Sequence, residues 1–288
     1  MPNYFPFDPT PRVPNTMPPA NACDCQFHVF GAADKYPTRP NAAYVMPSAT
    51  IDAAMKMHRT LGLTRGVIVQ ATSYGADHQV VLDGLAAAGP NYRGCANASV
   101  LVSADDAYLA KLDKAGVRGA RFSRPGLGIS MTTEEFKRAL ARLKELGWYM
   151  KIQPQASGIM ELAWMFENET IPVIVDHMGR PSLEAGAADP SLLKVLELLK
   201  RGNFWVMLSL GEKTSRKGPP YDDVLPLARR LIEAAPDRML WGSDWPHPVS
   251  TKQPPNDADI LELLYRYAPD AGEQKKILVD NPATFFGF

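Results

Sequence analysis

What most constrains this chain is an alternation that runs nearly its whole length. A short run rich in β-branched and aromatic residues gives way to a polar break and then to a helical pattern, and the cycle repeats eight times. The strand-like runs fall at Ala22–Phe30, Gly66–Ala71, Tyr92–Ser99, Val117–Phe122, Trp148–Gln153, Ile171–Met178, Phe204–Leu210 and Arg238–Trp241. Helical stretches follow at Ile51–Leu61, Asp77–Ala88, Asp105–Ala115, Thr132–Leu146, Gly158–Glu167, Pro190–Lys200, Tyr221–Ala234 and Ala258–Val279. Eight βα repeats predict a closed parallel (β/α)8 barrel of the TIM type, with a doubly wound sheet as the alternative. No linker-like break divides the 288 residues, so residues 21–288 read as one barrel domain.

The first twenty residues stand apart. They contain seven prolines, which exclude a regular helix, and they lack the basic start and apolar run of a secretion signal. They read as an extended arm over the body or over a partner subunit, the second case giving a homo-oligomer. Lys and Arg (31) balance Asp and Glu (31), so no global field draws nucleic acid or an anionic membrane, and no uninterrupted apolar run is long enough to span a bilayer. The three cysteines, Cys23, Cys25 and Cys95, form no CxxC pair; buried thiols in a reducing, cytoplasmic setting are the expectation.

In a barrel, chemistry gathers at the C-terminal ends of the strands, and here those ends are polar. The last of them, Trp241-Gly242-Ser243-Asp244-Trp245-Pro246-His247-Pro248, sets a carboxylate where a strand stops, with an imidazole three residues on. An isolated Asp in that place often only caps a turn, but the surrounding indoles, prolines and imidazole favour a functional Asp244. In Asp24-Cys25-Gln26-Phe27-His28 a period of two puts Asp24, Gln26 and His28 on one face and the cysteines and Phe27 on the other. A His-x-His pair there would chelate a metal; Gln26 is a poor ligand but a good neutral donor. The sixth strand ends in Asp176-His177-Met178-Gly179-Arg180, placing an imidazole that can polarise a carbonyl near a guanidinium that can clamp a carboxylate. Arg121 and Arg124, with Arg180, suggest an anionic small molecule. Thr72, Ser73 and Gln153 add polar groups at the same rim. Trp148, Tyr149, Trp164 and Trp205 are assigned to the core, and no glycine-rich phosphate loop occurs.

Taken together, DCQFHVFG, VIVQATSYGADH, VIVDHMGRP and WGSDWPHP resemble the amidohydrolase superfamily, in its branch of 2-pyrone-4,6-dicarboxylate lactonases and sugar lactonases, over about Asn21 to Phe288. The resemblance implies a distorted (β/α)8 barrel, Asp244 as general base and acid, His177 and His28 as the strand-six and second strand-one histidines, and Arg121 with Arg180 on substrate carboxylates. Tyr44 matches a substrate-contacting tyrosine, and His247 joins the substrate-binding set with Arg124, Thr72, Ser73 and Gln153. Two positions depart from the wider superfamily: Gln26 replaces the usual first histidine, and the position of a metal-bridging lysine falls near Gln153. Gln26 and the segment Ser215–Tyr221 are also similar to a galactarolactone isomerase.

The resulting expectation is a metal-independent hydrolase of a carboxylated lactone, in carbohydrate or aromatic-acid catabolism, with Asp244, His177, His28 and Gln26 catalytic and no cofactor. The alternatives are lactone isomerisation, metal-dependent decarboxylation or amide hydrolysis with one zinc or manganese ion on His28, His177 and Asp244, and a non-catalytic binding protein.

Overall fold

The computed structural model describes residues 4–123, 131–155 and 157–288. Eight parallel strands follow one another around a single sheet in chain order: β1 Cys23–Phe27, β2 Arg65–Val69, β3 Tyr92–Asn97, β4 Val117–Ser123, β5 Tyr149–Gln153, β6 Val173–Val175, β7 Phe204–Leu208 and β8 Met239–Trp241. Helices connect them, giving the expected (β/α)8 barrel. Just past the paired strands, the β8 end meets β1 through two backbone bonds: Asp244 N–H donates to the Gln26 carbonyl at 2.9 Å, and His28 N–H donates to the Trp245 carbonyl at 2.7 Å. Gly242 permits this approach, because a Cβ there would stand 2.7 Å from the Gln26 Cβ and 2.9 Å from its backbone nitrogen.

The helices form where periodicity and caps agree. In Ile51–Leu61 the residues Ala54, Met57, His58 and Leu61 recur on one face and are buried, Thr50 caps the start, and Gly62 in the left-handed region closes the end. Thr133–Glu145 begins with a full capping box from Thr132 and Glu135. Other predicted stretches are cut short. Gly158–Glu167 yields one 3-10 turn and the four-residue helix Ala163–Phe166, and Trp164, expected in the core, is 57% exposed. The predicted sixth strand stops at Val175, because His177, Met178 and Arg180 adopt left-handed backbone (φ 54, 56 and 47°) that no strand can contain.

Two apolar layers result. Cys23, Cys25, Val67, Val69, Cys95, Tyr149, Ile174, Met207 and Leu240 fill the barrel, and Phe27, Ile68, Ala96 and the helix faces form the shell outside it. At the N-terminal end of the strands Phe285 and Phe286 pack on Tyr149 and Trp205, plugging that end with aromatic rings. The opposite end holds the polar residues.

The described part of the proline-rich segment, from Tyr4, contains no helix or strand. It runs along the stretch after β8. Phe5 N–H donates to the Ser250 carbonyl, Phe7 packs on Trp245 with ring centroids 4.6 Å apart, and Arg12 pairs with Asp259 (2.6 Å) and Glu262 (2.9 Å). Among the described residues no helix is long and apolar enough to cross a membrane.

Candidate active site

The simple alternation expected of β1 fails in an informative way. Pairing with β2 advances by three residues on β1, Asp24 to Phe27, against two on β2, Gly66 to Ile68, so the strand carries a bulge. The cysteines therefore line the barrel interior while Phe27 joins the outer shell, on opposite sides instead of together. Asp24 is separated from Gln26 and His28. It accepts from the backbone N–H of Gln26 (3.1 Å) and Ser243 (3.0 Å) and from the Ser243 hydroxyl (2.5 Å), and meets His58 Nε2 at 3.2 Å. This buried carboxylate ties β1, β8 and the helix Ile51–Leu61 together beneath the site.

Above it, Gln26 and His28 converge on Asp244. Gln26 Nε2 donates to Asp244 Oδ1 at 2.9 Å, and His28 Nε2 lies 3.3 Å from the same oxygen. The other His28 nitrogen, Nδ1, is 2.7 Å from the Val69 carbonyl and must donate, since a carbonyl only accepts. A hydrogen bond from Nε2 to the carboxylate thus requires the doubly protonated ring. Asp244 itself sits in the left-handed region (φ 58°), a conformation that costs a non-glycine residue about 1–3 kcal/mol and clusters at functional sites. Burial opposes its charge, yet the His28 hydrogen bond and the positive charges that His177, Lys213 and His28 can carry outweigh burial and hold the carboxyl well below its ordinary range. Oδ2 makes no hydrogen bond among the described residues; Lys213 Nζ stands 3.9 Å from it.

Around this pair lie the other rim groups. His177 Nδ1 is 2.8 Å from Ser209 Oγ, and burial lowers the imidazole to about 4, so the ring is neutral near pH 7. The half-buried Arg180 side chain makes no hydrogen bond or ion pair among the described residues, and it feels the charges of Asp244 and Glu212. Tyr44, Thr72 and Arg121 form a second group: Thr72 Oγ1 donates to the Tyr44 hydroxyl (3.2 Å), and Arg121 Nη2 donates to the Gln70 carbonyl (3.0 Å) while its buried Nε has no hydrogen-bond partner among the described residues. Ser73 Oγ is likewise buried without a hydrogen-bond partner among the described residues, and Gln153 Oε1 accepts from Ser123 at 2.6 Å. Arg124 lies outside the described residues. The ring of His247, expected against substrate, is fully buried and faces Asp257.

Sequence reasoning missed two cations. Lys213 lies on the four-residue helix Gly211–Thr214 after β7, where no periodicity marks it. Lys151, on β5, lies 2.6 Å from Asp176 Oδ1, and both side chains are buried. Asp176 thus orients a neighbouring charge. The resemblance placed the metal-bridging lysine position near Gln153 and did not single out Lys151, which lies two residues earlier on the same strand.

The ligand positions that the resemblance implies for a metal ion are not all filled by metal-binding side chains here. The first strand-one ligand is an amide that directs an N–H at the carboxylate, and among the described residues no group of three or more His, Cys, Asp or Glu side chains could hold an ion.

The Amidohydrolase family model matches residues 23–288. The chain belongs to the amidohydrolase family. Among curated amidohydrolase relatives, 2-pyrone-4,6-dicarboxylate hydrolase of Comamonas testosteroni is 35% identical, across 99% of this chain and 96% of its own length. D-galactarolactone isomerase of Agrobacterium fabrum is 28% identical, across 95% and 94%. A solved structure from Agrobacterium tumefaciens superposes with a TM-score of 0.82 at 25% identity, across 98% of this chain and 99% of that one. Family and relatives together make this chain an enzyme of lactones, acting by hydrolysis or isomerisation of a cyclic ester.

Proposed function

We propose that the protein hydrolyses a small carboxylated lactone without a metal ion, with Asp244 as general base and then general acid. The unequal use of the two carboxylate oxygens carries this reading. Oδ1 is anchored by Gln26 and His28, which fixes the group, and Oδ2 remains for proton transfer. Water gives a proton to Oδ2 as its oxygen attacks the lactone carbonyl carbon. Collapse of the tetrahedral intermediate breaks the ring C–O bond, and the departing oxygen takes that proton back. A carboxyl held this far below its ordinary range is a weak base but, once protonated, a ready acid for the alkoxide.

The oxyanion needs donors. With Ser209 donating to Nδ1, the neutral His177 carries its proton on Nε2 and can give it as a hydrogen bond; one such donor contributes about 10²–10³-fold in kcat. Gln26 holds Asp244 in the ligand-free geometry, so its main part is to orient the base. Arg121, Arg180 and Lys213 bring positive charge towards a substrate with carboxylates, which suits a dianion such as the relative's dicarboxylate.

Isomerisation would use the same groups with a substrate hydroxyl in place of water, and the galactarolactone relative favours it as the second reading. The test is turnover of 2-pyrone-4,6-dicarboxylate and of galactarolactone in isotope-labelled water, with and without chelator. Label in the product, undiminished by chelator, is the expected result. A ring-shifted product without label assigns the isomerase. Activity lost in chelator and restored by one ion per chain overturns the metal-free mechanism.

A further inference from the structure

The turn that carries Asp244 is held from within by a buried array that the proton transfer itself does not use. His247, three residues on, places Nε2 3.1 Å from Asp257 Oδ1 and Nδ1 3.9 Å from Glu212 Oε1. Its backbone N–H donates to the Asp244 carbonyl at 2.7 Å, and both residues stand in the left-handed region, with φ of 60 and 58°. Asp257 begins the helix Asp257–Tyr267, where the dipole favours a carboxylate. Glu212 is 8% exposed, and neither of its oxygens has a hydrogen-bond partner among the described residues. Its chain neighbour Lys213 places Nζ 3.9 Å from Asp244 Oδ2. One imidazole therefore lies between the Asp244 turn, the helix after it, and the segment that delivers Lys213.

The charges argue for a protonated ring. Two buried carboxyl groups flank one imidazole, and only an imidazolium offers an N–H to each side. A neutral ring could give an N–H to only one of the two carboxylates. Burial works against the charge, as does the Lys213 ammonium, but Asp257 and Glu212 prevail and raise His247 above its ordinary value. Burial raises Glu212 as well, which a cation at this distance opposes.

We propose that His247 is a positioning residue: as an imidazolium clamped between Asp257 and Glu212, it fixes the Asp244 turn and the Lys213 segment relative to each other. This rests on Asp244 being the base. Its loss should act mainly on kcat, because the carboxylate is displaced, and only slightly on KM, because His247 itself makes no substrate contact and Lys213 is one of three cations that draw the substrate.

The experiment pairs kinetics on 2-pyrone-4,6-dicarboxylate with nitrogen NMR of the His247 ring. For His247→Gln the expected result is kcat lower by roughly tenfold to a hundredfold, with KM within about threefold and the thermal melt retained. In the unaltered protein the ring should be doubly protonated at neutral pH. Asp257→Asn should lower the pH at which it loses that proton, move the alkaline limb of kcat with it, and serve in place of His247→Gln should that variant not fold. A ring that is singly protonated at neutral pH overturns the clamp. A rise in KM at constant kcat would make His247 a substrate contact instead, and unchanged kinetics would deny it any part. Failure of the Asp244 reading is separable, since it appears as an active Asp244→Asn, whatever the state of the His247 ring.

Discussion

Replacing Gln26 by Leu tests how the base is set. The side chains are close in volume, so the change removes one donor with little new cavity. What is lost is the 2.9 Å bond from Nε2 to Asp244 Oδ1, a hydrogen bond to a buried charged acceptor. Such bonds contribute about 1.5–3 kcal/mol, and since 1.36 kcal/mol corresponds to one pH unit, the Asp244 carboxyl should rise by about one to two units. The sign follows from the bond favouring the ionised form, so its removal makes protonation easier. In the unaltered enzyme the acid limb of kcat/KM should lie below 3.8, the ordinary value for this group. In Gln26→Leu it should move up by the amount stated, with a smaller effect near neutrality, where the carboxylate remains ionised. The assay is kcat/KM on the lactone from neutral pH to the acid limit of folding, with a melt at each point. An unmoved acid limb would mean that Gln26 does not set the charge of Asp244.

Three further outcomes follow. Arg121→Met should raise KM for a carboxylated lactone by about tenfold to a hundredfold, and much less for its uncharged ester; equal losses on the two would make Arg121 structural. Burial lowers His78 and His177 from 6.5 to about 4, so as pH falls the unfolded chain binds protons that the folded chain refuses. Each contribution is intact above about pH 6.5 and is lost towards pH 4, on the order of 3 kcal/mol per imidazole, and a denaturant midpoint constant across that window would contradict it. Arg12→Ala, which removes ion pairs to Asp259 and Glu262 that are partly open to solvent, should cost only about 1 kcal/mol, and a melt shifted by far more would show the arm to be integral to the barrel.

The barrel was legible because parallel strands buried on both faces read as apolar runs, which set the places of β2, β3, β4 and β7 within a few residues. Placement at the rim was legible where a strand end names its residue: Asp244, His28, Gln26 and His177 all lie there. Failures came where a local pattern meets a non-local constraint. A bulge in β1 turned Asp24 away from Gln26 and His28, and left-handed residues ended β6 at Val175. Lys213 lies on a single helical turn that no periodicity reveals. The Lys151–Asp176 pair joins β5 to the turn after β6, so neither partner announces the other in sequence. His247 read as a rim residue because sequence gives a position on the turn but not the direction of the ring, which Asp257 on the following helix determines.

The central claim, that Asp244 carries the proton, is met most directly by Asp244→Asn. Asn keeps the shape and one acceptor oxygen, so packing against Trp245 and Gln26 should survive, while the amide cannot take up and return a proton near neutral pH. General acid–base catalysis contributes about 10²–10⁴-fold, and one group serving both half-steps places the loss at the upper end of that range or beyond. Measured as kcat, with a melt and a product-binding titration on the same preparation, the prediction is a folded, product-binding protein with turnover reduced by about 10⁴-fold. An Asn variant that turns over at near the original rate would contradict it, since a residue that only caps the turn tolerates Asn as well as Asp.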